Sequence, residues 1–336
     1  MAQGTMQAAI LAAPGQIALA EVPLPQPAAG EVRIRLEGCG VCASNLEPWA
    51  GLEWMSYPGD PGGLGHEGWG TVDALGAGVS GGVSALAVGD RVAALSFRSF
   101  AQYDVVRADM AVKLPPELDG QPFPGEPLAC AFNIFRRSDI RAGQSVAIIG
   151  IGFLGAVLTR LASEAGARVI AISRREESLA LARHYGAAET IPMHDHWAII
   201  ERVKQLTGPG QGEGAMCERV IECVGKQWPL DLAGELIGFG GRLVVAGYHQ
   251  DGPRQVNMQN WNWKGIDVIN AHERDPAVQM QGLREAVEAV ASGRLDPAPL
   301  YTGRYPLAQL ADALDATRDK PGGFVKALVT MDGTGE

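Results

Sequence analysis

The sequence is poor in cysteine, with five residues in 336, an odd number. That fits reduced thiols in a cytoplasmic protein better than a disulfide framework. Long apolar runs are missing as well. Stretches such as residues 146–149 are far too short to cross a bilayer, so no membrane association is expected. Residues 1–10 hold no basic residue followed by a long apolar run and do not read as a secretory signal. Positive charge is scarce: 28 Lys and Arg stand against 38 Asp and Glu, a formal net charge of −10. Without a basic stripe, a nucleic-acid or anionic-membrane partner is disfavoured. The sequence has no internal repeat, heptad run or low-complexity tract.

What is present is the composition of an ordinary globular protein, 46% hydrophobic and 20% charged. The chain is too long for one core, and two domains are expected. Residues 1–115 read as short strands broken by Gly and Pro. Glu31-Val-Arg-Ile-Arg-Leu36 alternates polar and apolar, the signature of a half-buried strand. Gly89-Asp-Arg-Val92 reads as a turn feeding a strand, and residues 100–106 as another strand. Near residue 130 the pattern changes. Ser145-Val-Ala-Ile-Ile-Gly150 is a continuous apolar run, as a strand buried on both faces should be. A helix is predicted over 156–165, a strand over 168–172, and a helix over 176–185 stopped by Gly186. Further strands are expected at 219–222 and 242–246. This alternation predicts an α/β fold with a doubly wound parallel sheet. The tail reads as a helix over 279–292 and a closing strand over 324–330. With β-rich ends, residues 1–129 and 272–336 are expected to fold together around a dinucleotide-binding domain at 130–271.

Gly150-Ile-Gly152-Phe153-Leu154-Gly155 is a G-x-G-x-x-G. In a chain with 44 glycines such spacing arises by chance, but here it follows a buried strand and opens a helix. Gly150 then makes the tight turn, Gly152 lets a pyrophosphate approach the backbone, and Gly155 lets helix and strand pack closely. The helix start offers free N–H groups and a positive dipole end to phosphates. The next strand ends in Ser173-Arg174-Arg175, with no acid to bond a ribose 2′-OH and repel a 2′-phosphate. Two guanidiniums and a hydroxyl suit a phosphate, which favours NADP over NAD. The alternative is a solvated basic helix start, with Glu176 and Glu177 pairing with the arginines.

Three segments carry potential metal donors: Gly40-Val-Cys42-Ala-Ser44-Asn45, Gly65-His66-Glu67-Gly-Trp-Gly70 and Gly125-Glu126-Pro-Leu-Ala129. Each is weak by itself. In this order, ahead of a dinucleotide fold, they resemble the zinc-containing medium-chain dehydrogenases/reductases, over nearly the whole chain. The Gly-His-Glu motif with Gly70 is the most specific part of the resemblance, and Glu126-Pro-Leu-Ala looks most like the polyol and sugar dehydrogenase branch. The resemblance implies a β-rich, GroES-like catalytic domain beside the Rossmann domain. It implies a small-molecule alcohol or carbonyl substrate and one catalytic zinc on Cys42 and His66, with Glu67 and Glu126 as ligand and near-ligand. Thiolate, imidazole and carboxylate are normal zinc donors, and a catalytic site keeps one position open for substrate. Ser44 matches the family's hydroxyl that relays the alcohol proton.

The sequence departs from that pattern in three places. Asn45 stands where Asp is common; its oxygen is expected to orient His66, without charge. Glu47 stands where His often ends the proton relay, and either Glu47 or water takes that place. The four cysteines of a structural zinc are absent, since residues 93–99 join the flanking segments without one.

Cys39 and Cys42 form a C-x-x-C but lack a thioredoxin-like setting, and Cys130, Cys217 and Cys223 read as core thiols. His194 and His196 read as surface residues of a loop. Trp49, Trp54 and Trp69 flank the donor segments, either lining a substrate pocket or packing the core. Residues 264–270, beside Trp261 and Trp263, fall at the last sheet strand of the family fold, where an exposed edge invites a homodimer or homotetramer; the alternative is that the two tryptophans cap the active-site cleft within one subunit. The competing readings are a zinc-free quinone or alkene reductase of the same fold and a non-catalytic cofactor-bound protein.

Overall fold

The structure, a computed structural model, describes residues 4–53, 55–79, 86–208 and 216–331, so Trp54 lies outside the described residues. The chain divides into two compact units, Met1–Ala129 with Asp275–Glu336, and Cys130–Arg274. The first unit opens with strands β1 (Thr5–Ala13), β2 (Gln16–Pro23) and β3 (Glu31–Gly40), and a short helix α1 (Leu46–Ala50). Strands β4 (Gly68–Leu75), β5 (Arg91–Ala94), β6 (Tyr103–Arg107) and β7 (Ala111–Lys113) follow. Helix α2 (Gly125–Ser138) carries the chain into the second unit, which holds β8 (Ser145–Ile149), α3 (Phe153–Glu164), β9 (Arg168–Ser173) and α4 (Glu176–His184). It continues with β10 (Glu189–Pro192), α5 (His196–Thr207), β11 (Cys217–Glu222), α6 (Gln227–Leu236), β12 (Ile237–Val245), α7 (Met258–Lys264) and β13 (Asp267–Asn270). The chain then returns to the first unit with α8 (Pro276–Ala291), β14 (Tyr301–Pro306), α9 (Leu310–Asp319) and β15 (Lys326–Thr330).

In the first unit, β3 buries Val32, Ile34 and Leu36 on one face while Arg33 pairs with Asp73 at 2.9 Å on the other. It lies centrally in a seven-stranded sheet ordered β14-β15-β3-β4-β5-β7, with β6 also paired to β3. Strand β15 runs antiparallel to the far end of β3, with Leu328 opposite Gly40 and Val329 opposite Cys39. The last strand of the chain therefore completes the sheet where the Cys42 segment leaves it. The cysteine-free link between β5 and β6 is pinned instead by buried Asp104, which accepts the hydroxyl hydrogens of Ser96 and of Ser99, the latter at 3.0 Å.

The second unit is a six-stranded parallel sheet ordered β10-β9-β8-β11-β12-β13, a Rossmann arrangement whose strand order reverses between β8 and β11. Val146, Ala147, Ile148 and Ile149 of β8 are all fully buried, which explains their unbroken apolar run. Helix α3 starts at Phe153, earlier than the predicted 156, because Gly152 is its N-cap and the motif residues form its first turn. His196 is not in a loop: it is the first residue of α5, and its Nδ1 accepts the Trp228 indole N–H at 3.1 Å. Trp261 packs against Gly234, whereas Trp263 is 75% exposed beside the edge strand β13. No helix among the described residues is long and apolar enough to cross a membrane.

Candidate active site

Cys42 follows β3 and precedes a 3-10 turn, Ala43–Asn45. Asn45 is buried and fixes this turn, its Oδ1 accepting the Cys42 N–H at 3.1 Å. Its Nδ2 donates to the Leu64 carbonyl at 3.0 Å. The same carbonyl lies 2.8 Å from His66 Nδ1. Leu64 reaches this position in the left-handed region, at φ 71°, which a non-glycine residue rarely adopts. A carbonyl can only accept, so Nδ1 carries a hydrogen, and Nε2 is left as the nitrogen that meets Cys42 and that a metal would take in place of a proton. The expectation that the Asn45 oxygen orients His66 directly is thus corrected. That oxygen is occupied by the Cys42 backbone, and Asn45 acts on His66 through the carbonyl they share.

Glu67 is fully buried just before β4, and Lys326, the first residue of β15, is 5% exposed. The Lys326 ammonium donates to Glu67 Oε1 at 2.8 Å and to the Val41 carbonyl at 3.3 Å, and lies 2.6 Å from Oε2. Burial alone would pull the ammonium below its ordinary value, but Glu67 and then Cys42 raise it above that value, so it stays charged. Glu67 Oε2 is buried and receives no hydrogen bond. The strand beneath makes room for it only because residue 40 is glycine: a Cβ there would lie 1.8 Å from Oε2.

Ligand atoms of Cys42, His66 and Glu67 all lie within 4.8 Å of one another. Burial would lower the His66 imidazole, yet the hydrogen bond and charge of Cys42, with Glu126 and Glu67 behind it, raise it to about 10. The cluster is therefore rich in negative charge and attracts a proton strongly. Sulfur, nitrogen and oxygen donors around one point fit a zinc-sized cation. Glu126, second residue of α2, is half-buried; it is outside the three-residue cluster, though its charge reaches His66 and Lys326. Ser44 lies in the turn after Cys42, and Glu47 in the first turn of α1, both half-buried.

Trp49 and Trp69 are core residues, 4% and 3% exposed. The Trp49 indole donates to Asp315 at 2.9 Å, and the Trp69 ring occupies the space left by Gly38. Cys39 is buried beside the site, and burial with the Glu67 charge pushes its thiol well up. Lys326 and Leu64 were missed in the sequence. A lone lysine inside the apolar run Phe324-Val-Lys-Ala-Leu-Val-Thr330 was the available signal, since a buried ammonium needs a partner. No local signal marks Leu64.

In the second unit, the three motif glycines differ in surroundings. Gly150 has φ 94°, and a Cβ on it would meet Val224 at 2.4 Å. A Cβ on Gly155 would come 2.0 Å from the Gly150 carbonyl, whereas around Gly152 nothing lies within 4 Å. Two glycines are thus required by packing, and the middle one faces open space, as close approach of a phosphate needs. Phe153 and Leu154 form the first turn of α3. Ser173 ends β9 and is buried, Arg174 is exposed, and Arg175 is half-buried at the N-cap of α4. Glu176 pairs with Arg183 at 2.5 Å, not with Arg174.

Residues 28–116 match the alcohol dehydrogenase GroES-like domain, and residues 154–291 match the zinc-binding dehydrogenase domain. Alcohol dehydrogenase of Geobacillus stearothermophilus is 30% identical over 82% of this chain and 86% of its own length. The chain belongs to the zinc-type medium-chain dehydrogenase/reductase family. It is an oxidoreductase. Sorbitol dehydrogenase of Gallus gallus is 27% identical, over 99% of this chain and 98% of its own. Among solved structures, a Sinorhizobium meliloti 1021 protein described as a zinc-binding dehydrogenase and bound to NADP superposes with a TM-score of 0.81. It is 27% identical and covers 98% of this chain and 100% of its own.

Within this dehydrogenase site the Lys326–Glu67 pair should behave as a buried ion pair. Lys326→Met should destabilise the fold by about 3 kcal/mol by stranding the carboxylate. Adding Glu67→Gln should recover much of that loss. Chemical denaturation of the two single variants and the double variant checks this; additive losses would show that the pair is not coupled.

Proposed function

We propose that the chain is a zinc-dependent alcohol dehydrogenase moving a hydride between NADP and an alcohol/carbonyl pair. The substrate class we favour is a secondary alcohol, polyol or sugar-derived alcohol. The observation that carries this reading is the convergence of Cys42, His66 and Glu67, with His66 Nδ1 held by the Leu64 carbonyl so that Nε2 is the nitrogen turned to the cluster. Cys42 and His66 would hold the metal throughout. Glu67 is shared with Lys326, so it would serve as an exchangeable ligand, with Glu126 near it. Bound there, zinc supplies a Lewis acid that favours the ionised alcohol, and the nicotinamide supplies the hydride acceptor. The Ser44 hydroxyl takes the proton leaving the substrate and passes its own outward to Glu47 or to water. The polyol preference rests on the Glu126 segment and on the sorbitol dehydrogenase relatives.

The unit formed by 1–129 and the C-terminal residues would be the catalytic domain, and the Rossmann unit the cofactor domain. Gly150, Gly152, Phe153, Leu154 and Gly155 would cradle the pyrophosphate. Ser173, Arg174 and Arg175 would take the 2′-phosphate, a reading supported by the pairing of Glu176 with Arg183 and by the NADP-bound relative. One zinc per subunit is expected, since residues 93–99 hold no cysteine. Edge strand β13, with exposed Val268 and Trp263, supports pairing with a second copy, and we place the enzyme in the cytoplasm as a homodimer or homotetramer.

Cys42→Ser should lose zinc and turnover together, because serine remains a neutral hydroxyl near neutral pH. Ser44→Ala should keep zinc but slow turnover on the order of 10²–10⁴-fold. Metal content measured beside the steady-state rate for a panel of alcohols decides this. Full activity of Cys42→Ser after chelation would leave a zinc-free reductase as the reading. Replacing Arg174 and Arg175 together by Ala should weaken NADP binding about tenfold or more beyond any effect on NAD; equal effects would assign the arginines to packing. Sedimentation at micromolar concentration should give a dimer or tetramer, and a monomer would rule out pairing through β13.

A further inference from the structure

Glu222, the last residue of β11, is fully buried at the carboxyl end of the parallel sheet. Its Oε1 accepts the backbone N–H groups of Val224 at 2.7 Å and Gly225 at 2.9 Å. Its Oε2 lies 3.0 Å from His249 Nε2. Arg254 Nε donates to His249 Nδ1 at 2.8 Å. A guanidinium can only donate, so Nδ1 is the acceptor and Nε2 carries the hydrogen. His249 is thus a neutral imidazole bridging a cation to a buried carboxylate. Arg254 also donates to the Gly225 carbonyl at 2.8 Å and pairs with Asp251, which Lys226 holds at 2.6 Å. Burial pushes the Glu222 carboxyl above its usual range, while the Gly225 and Val224 N–H groups and His249 pull it back.

The network joins two turns, one after β11 and one after β12. Gly247 packs so tightly between them that a Cβ would lie 2.2 Å from Gly225 N. The first turn rests on the nucleotide motif, since Val224 fills the space over Gly150 and Cys223 N–H donates to the Ile149 carbonyl at 2.8 Å. In this strand order, β8 to β10 form the half whose first turn holds the pyrophosphate and whose second strand end reads the adenosine ribose. The nicotinamide half is then β11 to β13. The side chains of Val224 and Tyr248, 38% and 57% exposed, stand on the two turns so fixed.

We propose that Glu222, His249 and Arg254 are positioning residues for the nicotinamide end of the cofactor, fixing the two turns against which that end rests. The proposal rests on the cofactor reading above. It assigns the network no contact with the reacting atoms. Its signature is selective: the nicotinamide half of the nucleotide should lose affinity while the adenosine half keeps it.

The test compares His249→Ala and His249→Gln with the wild-type holoenzyme. Two probes are titrated by fluorescence and calorimetry: whichever of NADPH and NADH binds more tightly, and its adenosine half, 2′,5′-ADP or ADP. His249→Ala should raise the Kd of the full dinucleotide about tenfold or more, the scale of a lost charge-assisted bond, and leave the adenosine half within about twofold. His249→Gln should recover most of the loss, because its amide can donate to Glu222. An unchanged dinucleotide Kd in His249→Ala would overturn the proposal. So would an equal loss for both probes, or a His249→Gln variant no better than His249→Ala. A wild-type protein that bound neither probe would overturn the cofactor reading and the proposal with it.

Discussion

The first unit depends on one buried ion pair, Glu67 with Lys326. Its members are 259 residues apart in sequence and almost wholly out of water. Two charges so placed are costly, and the pair is tolerable only with close contact and further donors and acceptors around it. Lys326 has the Val41 carbonyl as well as the carboxylate. The registration of β15 on β3, Leu328 against Gly40, brings the lysine to that carboxylate, and the missing side chain of Gly40 leaves room for it. The discontinuity of the unit follows from the same contact. A strand from the end of the chain supplies the cation that balances a carboxylate set beside the donors in its first third.

The donors themselves are fixed by backbone more than by side chains. Leu64 holds its carbonyl between Asn45 and His66, so cysteine turn and histidine share one anchor. An uncharged amide is enough because the histidine's partner is the carbonyl. The glycines of the Gly-His-Glu segment also have packing reasons. A Cβ on Gly65 would lie 2.3 Å from the Phe100 nitrogen, and one on Gly70 2.2 Å from the Arg35 carbonyl. What reads in the sequence as a chemical signature is in part a requirement for backbones to touch.

The sequence-based reading succeeded where burial leaves a local pattern. Strand β8 is apolar from Val146 to its end because both faces are covered there, and β3 alternates over Glu31 to Leu36 because one face is not. The two glycines that flank Gly152 are unavoidable for packing, which is why the motif is conspicuous. It failed where no such contrast exists. Strand β2 has no buried residue, and the start of β12 runs through Gly238 and Gly240, so neither presents a period of two. The tryptophans were ambiguous for a related reason. An aromatic residue near a site has the same composition whether it lines a pocket or, like Trp49 on Asp315, packs the core. Lys326 was visible only as an oddity, because its partner is distant in sequence.

Among the described residues, the buried acids are Glu67, Asp104 and Glu222. Each stands where segments meet that no local element would hold together. Asp104 gathers Ser96, Ser99 and the Val105 N–H around the short link that has no cysteines. Burial raises its carboxyl, and these donors oppose the rise. Glu222 ties the two turns of the Rossmann unit with three donors of its own. For both, every carboxylate oxygen has a hydrogen-bond donor, as a buried polar group requires if it is there to hold structure. Glu67 is different. Its partner is a single ammonium, which bonds Oε1 and lies 2.6 Å from Oε2, and its other neighbours are a thiol and an imidazole. A carboxylate whose one partner is an ammonium, set against a sulfur and a nitrogen donor, suits an acid that must also meet a metal ion. That difference separates the acid of the candidate metal centre from the two that serve the fold.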